Sequence, residues 1–250
     1  MQATSVEPEI EGFRAPTQAR SRATLARIAA ATDALLAERG PAGVTVAELV
    51  ERADASVGSF YARFNDKDAA IRYVQDRFWI ELRARWERWL DPERWRGATA
   101  ASVVAGVIRM LVRTQFRDAV RLHAFMVDAL TRGDAGLTGR TAELDRQVAE
   151  RVAELLARAD RRFADPASRA VSTSGFLCVI SAVRDEVTLG RIPGREPGAT
   201  ARERILVLTR MYAGLLGLGR RGSPRSYAEL LRSCASARDR GRSPRSEDHG

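Results

Sequence analysis

Apolar positions recur along the chain at the three- and four-residue spacing of amphipathic helices. The first such segment predicts a helix over Ser21–Arg39, with one stripe of its side chains buried. The stripe consists of Leu25, Ile28, Thr32, Leu35 and Leu36. Gly40 suits the left-handed position past the end of this helix, and Pro41 blocks its continuation. No segment shows convincing strand alternation, so the pattern predicts an all-α protein.

Two short helices follow the first one. Thr45 and Glu48 have the spacing of a capping box and predict a helix over Val46–Ala53. Its predicted buried residues are Val46, Leu49 and Val50. Asp54–Ala55 forms a tight turn, and Ser56 is a good N-cap for a third helix that ends near residue 63. A short helix, a tight turn and a second short helix are together a helix-turn-helix candidate.

The rest of the chain predicts longer helices. Asn65 is the expected cap of a fourth helix over Asp66–Leu90, and residues 91–97 break the pattern. Later helices are expected at about 98–114, 116–131, 140–163, 166–189 and 199–218. The predicted organisation is a flexible N-terminal arm (1–19), a three-helix helix-turn-helix domain (20–66), a helical-bundle domain (67–218), and a basic, largely disordered tail (219–250). A weaker function for the tail is non-specific help in holding DNA.

The stretch SVGSFYARFNDKD at residues 56–68 contains the candidate DNA-binding chemistry. The second helix of a helix-turn-helix enters the major groove with its N-terminus first. Gly58 in its first turn would let the backbone approach DNA closely, and Ser59 and Arg63 would face the groove or the phosphates from one side. Phe60 and Phe64 share the opposite face and would hold this helix against the first two.

Two residues of this stretch suit phosphate oxygens. Tyr61 can pack its ring and offer its hydroxyl. Lys67, the only lysine of the chain, falls in the first turn of the fourth helix, where free backbone N–H groups already attract anions. The alternative for Lys67 is an ordinary solvated lysine. Arg22, in the basic segment that starts the first helix, is also counted as a DNA contact.

Charge and composition change this picture little. The 250 residues include 41 basic and 32 acidic side chains, giving a net charge of +9, which favours a polyanionic partner. An arginine-rich proteome would give the same balance without such a partner. No apolar run is long enough to cross a bilayer, and the N-terminus lacks a signal sequence, so the cytoplasm is the expected compartment. Cys178 and Cys234 are isolated, and neither a metal site nor a cofactor is expected.

Residues 24–71 resemble the DNA-binding domain of the TetR family of bacterial transcriptional regulators. The matching residues are Arg27-Ile-Ala-Ala-Ala31, Gly40, Val44-Thr45-Val46, Ala53, Ser56-Val57-Gly58-Ser59-Phe60-Tyr61, Phe64 and Asn65-Asp66-Lys67-Asp68-Ala69. One departure is Asp54, where the family usually has glycine. Aspartate tolerates a positive φ better than most residues, so the turn is expected to survive. Leu49-Val50 also replaces a common Ile-Ala pair.

The resemblance implies roles for particular residues. By this resemblance, Thr45 is expected to be a phosphate-contacting cap. Val57, Ser59 and Arg63 are expected to face bases, and Tyr61 and Lys67 are expected to contact phosphates. Arg63 suits guanine, because a guanidinium can pair with O6 and N7 together, and it can equally bind a phosphate. The predicted DNA-binding residues are Arg22, Thr45, Ser56, Val57, Gly58, Ser59, Tyr61, Arg63 and Lys67.

The C-terminal helices of the family bind a small ligand and form the dimer. The apolar helices at 166–189 and 199–218 are therefore assigned to a homodimer interface, with a monomer core as the alternative. Side chains that could line a pocket are Trp79, Trp86, Met110, Phe116, His123, Phe125, Met126 and Phe176. Such walls suit a bulky hydrophobic effector, whereas simple core packing is the plainer explanation for each residue.

The expected function is that of a ligand-released homodimeric repressor of a palindromic operator on double-stranded DNA. A DNA-binding protein without an effector is the first alternative. A helical enzyme is the second, but the sequence shows no phosphate loop, no paired-histidine metal motif and no cysteine with a plausible base nearby. The chain is therefore not expected to be an enzyme.

Overall fold

The computed structural model describes residues 10–133, 135–189 and 200–218, which form eight α-helices. They are α1 (Ala19–Arg39), α2 (Val46–Arg52), α3 (Val57–Tyr61), α4 (Lys67–Trp89), α5 (Ala100–Arg132), α6 (Ala135–Ala159), α7 (Pro166–Thr188) and α8 (Ala201–Leu215). Short 3₁₀ turns lie at Pro41–Gly43, Pro92–Trp95 and Arg161–Phe163. No β-strand forms within the described ranges, which confirms the all-α class.

The described residues divide into two compact units. The first contains α1 to α4, α5 from Asp118 onward and α6 up to Val148. The second contains α5 up to Arg117, α6 from Ala149, α7 up to Glu186, and α8. Both units therefore draw on α5 and α6. The proposed domain boundaries remain predictions.

The N-terminal helices form a small domain around α1. This helix packs against α2 and α4, and α2 packs against α3. The buried residues of α1 include the whole predicted stripe, which are Leu25, Ile28, Thr32, Leu35 and Leu36. The hydroxyl of Thr32 donates to the Ile28 carbonyl at 2.8 Å, so this buried polar group is satisfied within the helix. Helical periodicity alone therefore identified the core-facing side of α1.

Several predicted boundaries were wrong, for local physical reasons. The segments 98–114 and 116–131 form one helix, α5, because nothing near Gln115 can stop a helix. Helix α6 starts at Ala135 rather than 140, since a helix tolerates each glycine at a cost of about 1 kcal/mol.

The predicted cap of α4 was also wrong by one residue. Asp66, not Asn65, caps α4, and its carboxylate accepts from the amide of Ala69 at 2.7 Å. Val46 is half-buried, and Val44 is fully buried.

Part of the predicted flexible arm is attached to the domain. Residues 1–9 and the predicted tail at 219–250 lie outside the described residues, whereas residues 10–18 are described. Ile10 is buried, and the Phe13 ring lies 4.6 Å from the Tyr73 ring, between centroids. The expectation of flexibility does not hold for this stretch, because an isoleucine and a phenylalanine have apolar surface to bury.

Candidate nucleic-acid interface

Helix α3 forms where the sequence predicts a start and a buried face. The Ser56 hydroxyl accepts from the amide of Ser59 at 3.1 Å, which satisfies one of the free N–H groups of the first turn. Phe60 and Phe64 are fully buried, with ring centroids 5.5 Å apart. The helix has only five residues, too few to be stable alone, so these two rings fix its position.

The opposite side of α3 faces solvent. Val57 is 52% exposed and Tyr61 is 47% exposed, although both are large and largely apolar. Ser56 and Gly58 are also exposed, and Ser59 is half-buried, with its hydroxyl 2.8 Å from that of Ser56. A short helix that presents a valine, a glycine, two hydroxyls and a tyrosine has the shape and donors to contact base edges and phosphates.

Nothing inside the described structure requires a glycine at position 58. A Cβ built on it would meet only the Ser56 hydroxyl, at 3.9 Å, and its φ is not positive. A glycine inside a helix costs about 1 kcal/mol relative to alanine, and nothing in the described structure recovers that cost. The open space above Gly58 fits close approach by an external partner.

Arg27 holds the turn between α2 and α3. Its Nε donates to the Ala53 carbonyl at 2.8 Å, and its Nη2 donates to the Asp54 carbonyl at 3.0 Å. Asp54 has a φ of 46°, so aspartate does adopt the left-handed conformation expected of it. These two hydrogen bonds, here called the Arg27 clamp, connect residues that are 26 and 27 positions apart in the sequence. A local sequence pattern could not predict them.

Lys67 lies at the start of α4 as predicted and has an internal partner. Its Nζ donates to the Val44 carbonyl at 3.1 Å, and its side chain is half-buried. The bond connects the residue before α2 with the first turn of α4. An ammonium has three N–H donors, so this bond leaves capacity for a phosphate. Lys67 therefore has a structural role that the sequence did not indicate.

The Thr45 hydroxyl is engaged within α2. It accepts from the Glu48 amide at 3.3 Å and donates to the Glu48 carboxylate at 2.8 Å. Arg39 also pairs with this carboxylate. The hydrogen bond from Thr45 and then that from Arg39 lower the pKa of Glu48. Because the only hydroxyl hydrogen of Thr45 is already donated, a phosphate contact would have to replace the bond to Glu48.

The remaining predicted DNA contacts are cations at the two ends of the domain. Arg63 is half-buried, and its Nη1 makes a 3.3 Å bond to the Ala62 carbonyl, which leaves most of its donors for other partners. Arg22 is exposed in the first turn of α1, and its Nη1 donates to the Thr17 carbonyl at 3.0 Å.

The eight predicted pocket residues do not gather in one unit. Trp79, Trp86, His123, Phe125 and Met126 belong to the first unit, and Met110, Phe116 and Phe176 belong to the second.

Several of these pocket residues pack in the interior. Phe125 packs on Phe78 at 5.4 Å, and Nδ1 of His123 lies 2.9 Å from the Val187 carbonyl oxygen. The indole N–H of Trp79 is buried and has no acceptor among the described residues.

A separate cleft of about 300 Å³ lies between α1, α4 and α5 in the first unit, and none of the eight predicted residues lines it. Its walls include Ala29, Asp33, Phe78 and Arg121. Among the described residues no group of three or more His, Cys, Asp or Glu side chains is arranged to hold a metal ion.

The comparison with known families identifies the domain. The family described as "Bacterial regulatory proteins, tetR family" matches residues 28–74, which run from the core of α1 into α4 and include the whole helix-turn-helix. Residues 28–74 are therefore a DNA-binding domain of the TetR type. A comparison with curated proteins found no match.

The matched domain supports a general function. TetR-type domains belong to DNA-binding transcriptional regulators, and in this chain the domain contains the helix-turn-helix. The match ends at residue 74, so it does not reach α5 to α8. None of the described helices combines the length and hydropathy that a membrane crossing requires.

Proposed function

We propose that this chain is a TetR-family regulator, a homodimeric repressor that binds a palindromic operator with α3 and is released by a small-molecule effector. The observation that carries the proposal is the two-sided character of α3. Phe60 and Phe64 are fully buried, while Val57, Gly58 and Tyr61 face solvent. The buried face fixes the position of this helix, and its exposed face is free to enter the major groove.

The DNA contacts divide by chemistry. Val57 would meet the thymine methyl group or a base edge, and the Arg63 guanidinium would pair with guanine O6 and N7. Tyr61 and Lys67 would contact phosphates, which set the register of the protein on DNA without reading its sequence. Ser56, Ser59, Thr45 and Arg22 would add hydrogen bonds around this centre.

An apolar strip on α8 supports the homodimer. Val207, Met211 and Leu215 lie four residues apart, and so on one face, and are 38%, 58% and 55% exposed. On α7, Val171 is 46% exposed, and Cys178, seven residues further along, is exposed too. A row of exposed apolar side chains along one helix face is unusual for a monomer surface. A second copy of the chain would cover them.

Helices α7 and α8 form a rigid support for that strip. A Cβ on Gly175 would meet Leu215 at 2.3 Å, so the helices cross closely at this glycine. The Tyr212 hydroxyl donates to the Ser172 carbonyl at 2.8 Å, and the Phe176 and Tyr212 rings are 5.5 Å apart. A dimer built on these helices would contain two copies of α3. Half-sites one DNA turn apart require about 34–36 Å.

The effector is proposed to act through α4 and α5. The buried indole N–H of Trp79 needs an acceptor, which a ligand carbonyl or hydroxyl would supply. Arg121 on α5 pairs with Asp33 on α1, and its Cζ lies 5.4 Å from the centroid of the Phe78 ring on α4. Movement of α4 or α5 would therefore change contacts to α1. The effector can shift DNA binding only as far as it prefers the released conformation.

The test is footprinting of the purified chain on fragments of its own genome. If the protein is a cytoplasmic repressor, footprinting should show a few protected inverted repeats, each occupied by two chains. Genes beside those sites would indicate the effector class, and addition of the matching metabolite should release the DNA. Binding that is even over all fragments and sensitive only to salt would favour the effector-free alternative and exclude the repressor.

A further inference from the structure

Residues Ile10–Arg14, here called the strap, run alongside the end of α3 and the start of α4. The Gly12 carbonyl accepts from the amide of Asn65 at 2.9 Å, and the amide of Arg14 donates to the Arg63 carbonyl at 2.8 Å. These two bonds form an isolated antiparallel bridge between Phe13 and Phe64. The strap thus pairs its backbone with the residues that directly follow α3.

Phe13 adds a side chain to the cluster that fixes α3. Its ring centroid lies 5.6 Å from that of Phe64 and 4.6 Å from that of Tyr73. Phe64 in turn contacts Phe60, the buried residue of α3. The strap therefore adds a ring to the aromatic cluster that contains Phe60 and Phe64.

Arg14 also contacts the C-terminus of α3. Its Nη1 donates to the Tyr61 carbonyl at 3.2 Å, at the end of the helix where carbonyl groups lack intrahelical partners and a cation is favourable. Arg72 on α4 donates to the Glu11 carbonyl at 3.3 Å and secures the other side of the strap. A helix of five residues depends on such outside contacts for its orientation.

We propose that the strap positions α3 for DNA, so that the affinity for the operator depends on the strap although the strap does not contact DNA. The proposal rests on the proposed role of α3 in reading DNA. It assigns a function to residues 10–14, which lie outside the family match at 28–74.

Gly12 offers a small change that releases the strap. It has a φ of 80°, and a Cβ on it would lie 3.2 Å from the Ala69 Cβ and 3.4 Å from the Asn65 Cβ. Gly12→Ala therefore combines an unfavourable backbone conformation with crowding against α4. Gly97→Ala is the matched control, because Gly97 has a φ of 74° and open space around it. Phe13→Ser and Phe13→Leu form a second pair: both remove the ring, but only Phe13→Leu keeps an apolar side chain to pack on Phe64 and Tyr73.

The test uses the full chain and two measurements. One is hydrogen exchange at the Asn65 amide, and the other is the affinity for a selected duplex at several salt concentrations. Gly12→Ala should lower Asn65 protection and operator affinity by about tenfold each, because a left-handed alanine costs about one factor of ten. The slope of affinity against salt should not change, since no phosphate contact is lost. Gly97→Ala has the same backbone cost away from the strap, so its Asn65 protection and operator affinity should match those of the wild type. Phe13→Leu should retain more affinity than Phe13→Ser.

Each contrary result has a distinct meaning. Normal operator affinity in Gly12→Ala or Phe13→Ser, with Asn65 protection lost, would overturn the proposal. A salt slope lowered by about one unit would also overturn it, since the strap would then contact phosphate itself. Wild-type protein that binds no duplex selectively would refute the proposed function instead. If Gly12→Ala fails to fold, the phenylalanine pair decides the question alone.

Discussion

The Arg27 clamp allows a prediction whose size follows from the structure. Arg27→Gln removes both hydrogen bonds to the turn, those to the carbonyls of Ala53 and Asp54. The bond to Ala53 is part-buried and the other is exposed, so together they should contribute about 2 kcal/mol to the stability of the turn. We expect the turn to open about 30-fold more often in the variant.

Hydrogen exchange at two turn amides measures this opening. The amide of Asp54 donates to the Glu51 carbonyl at 3.1 Å, and that of Ala55 donates to the Val50 carbonyl at 2.9 Å. Their protection should fall by about 30-fold in Arg27→Gln.

Arg52→Gln is the control for this experiment. Arg52 also makes two hydrogen bonds, both 2.7 Å long, but to the exposed Glu38 carboxylate, and such solvent-screened surface pairs contribute little to stability. Equal protection of Asp54 and Ala55 in Arg27→Gln and Arg52→Gln would refute the role given to Arg27.

Three further predictions concern other parts of the chain. Met211→Glu places a charge on the exposed α8 strip and should give a folded monomer with weakened operator binding; a dimer in sedimentation velocity would contradict the proposed interface. Burial raises the pKa of Tyr212, so the unfolded chain loses its phenolic proton first and stability should fall as pH rises above about 10. In Tyr212→Phe this alkaline loss of stability should be shallower in urea unfolding, and an unchanged pH dependence would exclude Tyr212 as its source. Lys67→Met should lower the salt slope of DNA binding by about one unit per chain, and an unchanged slope would leave Lys67 with only its bond to Val44.

Local signals in the sequence were sufficient for much of the N-terminal domain. The stripe on α1 and the caps Thr45 and Ser56 follow from periodicity and from short-range hydrogen-bonding preferences, and the structure confirms them. Asp54 was expected at a position that requires a positive φ and adopts 46°. Each of these features depends on residues within a few positions of one another, which is why the sequence could predict them.

Features that depend on distant residues were not predictable in the same way. The bond from Lys67 to Val44 spans 23 positions, and the bond from Arg14 to Tyr61 spans 47. Their formation depends on how the helices pack, which no local pattern contains. The strap did leave one signal, because Gly12-Phe13 places a flexible residue and an aromatic one within a polar segment. Such a pair in a supposed arm suggests a segment that turns and then packs.

Methylation protection on a selected operator tests most directly whether α3 reads the major groove as one of a symmetric pair. Dimethyl sulfate modifies guanine N7 in the major groove and adenine N3 in the minor groove. The account predicts N7 protection in two successive major grooves on one face of the duplex, with one guanine per half-site exposed again in Arg63→Ala. Protection confined to adenine N3, or to a single groove with no two-fold partner, would contradict it.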